Sequence, residues 1–88
     1  MKVYSISSPE QMERAADLVK WERDRKKVID FIERWKRESR DGQQENVTLE
    51  VGRNAIIFYI PPEGKKTQLA TLYVIPAREF AREELTEI

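Results

Sequence analysis

The chain has 88 residues, with 16 Lys plus Arg balanced by 16 Asp plus Glu, no Cys and no His. That length is one small domain. Zero formal charge removes any whole-molecule attraction for nucleic acid or an anionic membrane. The missing Cys and His exclude disulfides, thiolate chemistry, the usual zinc sets and every His-based general base.

Lys2 to Ile6 favours a short strand through Val3, Tyr4 and Ile6. Ser8-Pro9-Glu10-Gln11 is a helix start: Ser8 caps, Pro9 suits the first turn and Gln11 completes a capping box. Ser7 with Glu10 is an equally legal box. From Pro9 to about Arg40 there is no Gly or Pro, and Glu, Arg, Lys, Ala, Leu and Gln dominate. The spacing predicts one long helix, ended by Asp41-Gly42. Val47, Leu49 and Val51 then alternate with polar residues as a half-buried strand. Ala55 to Ile60 is continuously apolar, which predicts a central strand covered on both faces. Pro61 to Lys66 is a turn, and Gln68 to Ile75 reads as a third strand with Leu69, Thr71, Tyr73 and Ile75 on one face. Pro76 opens a short helix carrying Ala77, Phe80, Ala81, Leu85 and Ile88. The expected fold is α+β: short N-terminal strand, long helix over about 9–40, three-stranded antiparallel meander (about 47–51, 55–60 and 68–75) and short C-terminal helix (about 76–87).

A helix of about 32 residues is roughly 48 Å long, whereas a compact chain of this size is roughly 30 Å across. The helix would overhang its domain. Leu18, Trp21, Val28, Ile32 and Trp35 recur near heptad spacing and predict an oligomer seam, hence a homo-oligomer. Met12, Ala15, Ala16 and Val19 point the other way. The apolar face therefore switches near residues 19 to 21, and such a helix has two partners or bends there.

Chemical motifs are few. Gly64-Lys65-Lys66-Thr67 has the tail of a phosphate-binding loop but lacks its first Gly, Tyr59 standing there, and leads into a strand. Glu79, Glu83 and Glu87 stand four apart with Arg78 and Arg82 interleaved, more a solvated face than a metal site. Ser5, Ser7 and Ser8 have no placed base. Charge is uneven: residues 20 to 40 hold nine bases and five acids, and residues 76 to 88 hold two bases and four acids. On a helix, Lys20, Arg23, Lys27 and Arg34 fall within about 60° of one another. They form the candidate ligand- or partner-binding surface, for phosphates or an acidic partner; the alternatives are a solvated face eased by Asp30 and Glu38, or pairing with the glutamate ladder. Phe58 and Tyr59 face opposite sides of their strand, so no base-stacking pair is made.

The segment Ser8-Pro9-Glu10-Gln11-Met12-Glu13-Arg14-Ala15-Ala16, the charged helix, the short meander and the closing Arg82-Glu83-Glu84-Leu85 resemble small proteins encoded by bacteriophages and prophages. The resemblance implies an accessory factor acting in the host cytoplasm. Some such factors block host defence by binding a host protein, and others sequester a nucleotide second messenger within an oligomer. The expectation is a non-catalytic, cytoplasmic, oligomeric binding protein for a host protein or a small anionic nucleotide-like ligand. No cofactor, metal or membrane is expected. The alternative is a small nucleic-acid-binding regulatory protein.

Overall fold

Ser8 begins the helical layer as its sequence predicts. Its backbone is extended, and its hydroxyl accepts from the Gln11 N–H at 3.2 Å. The Gln11 side chain in turn accepts from the Ser7 N–H at 2.8 Å. A computed structural model describes residues 1–38 and 46–88. Strand β1 (Lys2–Ile6) leads into α1 (Pro9–Ala16) and α2 (Glu22–Glu38). Strands β2 (Asn46–Val51), β3 (Ala55–Ile60) and β4 (Thr67–Leu72) follow, then α3 (Val74–Glu84) and β5 (Thr86–Glu87). The expected helix end at Asp41-Gly42 lies outside the described residues.

The single long helix is corrected to two. Residues 17–21 leave the helical path and lie along β4: Val19 forms an antiparallel bridge with Leu72, Lys20 N–H donates to Thr71 O at 2.9 Å, and Tyr73 N–H donates to Leu18 O at 2.9 Å. The cause is the switch of apolar face. Met12, Ala15 and Ala16 of α1 and Val28, Ile32 and Trp35 of α2 are all buried in one core. A straight helix presents those two sets to opposite sides, whereas a bent one brings both onto one sheet. The linker also covers part of the outer edge of β4, which would otherwise offer unpaired backbone groups.

The sheet is antiparallel with order β4-β3-β2-β1-β5. The meander is therefore part of a five-stranded sheet, and β2 rather than β3 is its centre, because β1 returns to pair on the far side of β2. Tyr4, Ile6, Val47, Leu49, Val51, Ala55 and Ile57 line the helix side. The three helices share that one core. Val3, Ser5, Thr48, Glu50, Ile56 and Phe58 alternate to the other side and are only partly buried. The expectation that β3 is covered on both faces fails: its apolar run supplies one buried row and one half-exposed row.

Two further boundaries shift. A bulge between Ile57 and Phe58 in the β3–β4 pairing turns Leu69 inward beside Ala70. The strand then ends at Leu72, and Tyr73 and Ile75 are 51% and 69% exposed. Val74 and Ile75 enter α3 ahead of Pro76, because the first turn of a helix needs no N–H from a proline. At the other end Thr86 and Glu87 leave the helix to pair with Ser5 and Tyr4.

Helix α2, at 17 residues, is roughly 25 Å long. That fits inside a molecule whose longest extent is 35 Å. Among the described residues no helix overhangs the domain, which removes the length argument for a second copy. Of the seam residues, Val28, Ile32 and Trp35 are 0%, 4% and 3% exposed within the chain itself, and Leu18 is partly buried against the same core. Only Trp21 stays outside, at 46% exposure. No helix among the described residues is long and apolar enough to cross a membrane.

Candidate binding surface

The break before α2 creates the surface. Trp21 sits at the helix start, its carbonyl accepting from Asp24 N–H at 3.1 Å and Arg25 N–H at 3.0 Å. The linker before it is tied to β4, so the indole is left at the corner between sheet edge and helix. Lys20 places its ammonium 5.2 Å from the Trp21 ring centroid.

Next to it, Asp24 is buried at 6% exposure in the first turn of α2, where an acid is favoured by the helix dipole. Arg23 and Lys27 flank it, each with a nitrogen 3.9 Å from the Asp24 carboxylate. Those contacts are long, and the two side chains remain 83% and 60% exposed. Lys20 thus lies over Trp21, and Arg23 and Lys27 flank Asp24 in the first turns of α2, all three exposed.

Arg34, the fourth predicted member, departs from the group. Its guanidinium lies 4.7 Å from the Phe31 ring and 5.9 Å from the Tyr59 ring, and its Nε is 3.9 Å from Glu38. Phe31 packs edge-on against Trp35 at 6.0 Å and Tyr59 at 5.0 Å. Arg34 therefore closes the rim of an aromatic core cluster. The sequence spacing groups the indole at the head of the row with Trp35 in one seam, whereas Trp21 is 46% and Trp35 3% exposed. The signal that separates them is the switch of apolar face immediately before Trp21.

The expected rivals are placed elsewhere. Glu84 pairs with Arg14 of α1 at 2.6 Å, and among the described residues no ion pair joins α3 or β5 to the α2 row. Glu87 is on β5, so the glutamate ladder is not one helical face. Lys66 of the β3–β4 turn donates to Glu50 at 2.6 Å and lies 4.5 Å from the Phe58 ring centroid. Gly64 takes a φ of 87° in that turn, its N–H bonded to Pro61 O at 2.8 Å. The cleft between α1 and α2, of about 250 Å³, is lined by Glu13, Asp17, Arg25 and Glu33. It is crossed by Arg25–Asp17 at 3.3 Å and flanked by the Lys36–Glu13 pair. That pair holds Lys36 above the ordinary lysine pKa of 10.5, first through the Glu13 hydrogen bond and then through its charge.

No protein-family model matches the chain, and no curated protein or solved structure matches it significantly.

Proposed function

We propose that this chain is a non-catalytic binding protein that attaches to an acidic protein surface through Trp21, Lys20, Arg23 and Lys27. The supporting observation is the half-exposed indole of Trp21, with the Lys20 ammonium over its ring, just ahead of a helix whose first turns carry the exposed cations Arg23 and Lys27 beside Asp24 and whose opposite side is core. Tryptophan and arginine are the residues most often found at the energetic centre of protein interfaces. Cations around that centre suit an acidic partner and speed its approach. A chain without His or Cys has few groups for acid–base or nucleophilic work, which supports binding rather than catalysis. An accessory role inside a bacterial host, directed at a host protein, is consistent with this reading.

The test is capture from the producing cells with the intact chain, with Trp21→Ala, and with Arg23→Gln plus Lys27→Gln. A partner retained stoichiometrically at high salt by the parent and lost by both variants supports the proposal. Retention of nucleic acid alone, collapsing as salt rises, favours a polynucleotide-binding regulator instead.

A further inference from the structure

A second cationic place lies under α3, and its geometry is better enclosed than the α2 row. Residues two apart on a strand share a face, so Lys2 and Tyr4 of β1 both point to the helix side of the sheet. Val51 is paired with Lys2 in register and points the same way. Above them α3 presents Arg78 and Arg82, one turn apart. Together these residues line a recess of about 240 Å³ beside Gly52.

Three observations mark this recess as a site for an anion. First, Lys2, Arg78 and Arg82 make no ion pair among the described residues. Arg78 and Arg82, at i and i+4, repel each other on their helix. The acid nearest in register, Glu87 opposite Tyr4, pairs with none of them. Second, Tyr4 is only 5% exposed, yet its hydroxyl has no hydrogen-bond partner among the described residues. Among the described residues no side-chain polar atom sealed from solvent lacks a partner, so that hydroxyl keeps some solvent exposure, and Tyr4 lines the recess. Third, the charges come from two separate elements, a strand and a helix, and meet across a cavity instead of fanning outward from one helix.

We infer that this recess binds a small phosphomonoester. Two guanidinium groups and an ammonium match a phosphate dianion, with arginine able to hold two of its oxygens at once. The Tyr4 hydroxyl supplies a further donor. The recess is larger than a bare tetrahedral ion needs, and the Val51 side chain gives the organic part of an ester an apolar wall. The site is distinct from the Trp21 surface and does not depend on it.

Phenyl phosphate and inorganic phosphate, titrated against the labelled full chain in a phosphate-free buffer at physiological ionic strength, test the inference by amide chemical shifts. Phenyl phosphate should give saturable shifts at Lys2, Tyr4, Gly52 and the Arg78–Arg82 turn, and should bind more tightly than inorganic phosphate. Tyr4→Phe should weaken it about tenfold, equivalent to about 1.4 kcal/mol. Arg78→Gln with Arg82→Gln should remove it while the melting temperature holds or rises, because a repulsion is relieved. No saturable binding overturns the inference. So do equal affinity for the bare ion, shifts confined to Lys20, Arg23 and Lys27, or undiminished binding by the Arg78→Gln, Arg82→Gln chain.

Discussion

Trp21 and Trp35 sit in opposite surroundings. Trp35, 3% exposed, packs against Phe31 in the middle of the core, and Trp21, 46% exposed, stands at a corner beside Lys20. Their spacing in the chain is that of one helical stripe, but the backbone between them is helical only from Glu22 onward. The difference teaches that a heptad-like pattern identifies a common face only while the helix stays unbroken. On the C-terminal side of the break the pattern reports core, and at the break it reports an apolar residue that the fold leaves outside.

The largest effect that sharpens this contrast is on stability. Trp35→Ala should cost roughly 3 to 5 kcal/mol, as truncation of a buried aromatic does. Trp21→Ala should change stability by about 0.5 kcal/mol or less, while removing partner capture. Denaturant midpoints of the two variants read this directly, and comparable losses would mean that both indoles are core. A second check is the path of the chain. Spin labels at Glu10 and Arg37 would be roughly 40 Å apart on a continuous helix. The Lys36–Glu13 contact requires a far shorter distance, and a reading near the longer value would restore the single helix.

These two predictions also mark where the sequence was informative. The capping serine, the bounds of β3, the antiparallel meander and the α+β class follow from local chemistry, and the structure has them. The five-stranded sheet was not legible, because β1 pairs with β2 and β5 across the chain, and Thr86–Glu87 is too short to carry a strand pattern. The bulge at Ile57/Phe58 hid the inward turn of Leu69, since alternation by two fails where one strand carries an extra residue. The break at residues 17–21 was visible only as a change of apolar face, because no Gly or Pro marks it. Of the candidate site, the grouping of Arg23 with Lys27 was legible as an i, i+4 pair on α2. The departure of Arg34 was not, because it depends on Phe31 and Tyr59 meeting across the core.

Smaller effects separate the surface from its scaffold. Arg23→Gln with Lys27→Gln should leave stability nearly unchanged, since each contact with Asp24 is long and both cations are largely exposed. A large drop in melting temperature would show that these cations chiefly serve the buried Asp24 carboxylate. The smallest effect concerns Lys36. Its folded pKa is raised above 10.5 by Glu13, so the pair contributes its stability fully below the unfolded lysine pKa and loses it as pH rises through the raised folded value. Lys36→Met should flatten the alkaline end of the stability profile and alter little at neutral pH; an unchanged alkaline slope would show that the Glu13 contact adds nothing.

The most direct test of the binding surface is photo-crosslinking in the producing cells, with a photoreactive residue at position 21 in one chain and at position 58, on the open sheet face, in another. The proposal predicts a defined protein adduct from position 21 that disappears when Arg23→Gln and Lys27→Gln are added, and none of that mass from position 58. An adduct formed from position 58 alone, or one at position 21 indifferent to loss of the two cations, would contradict it.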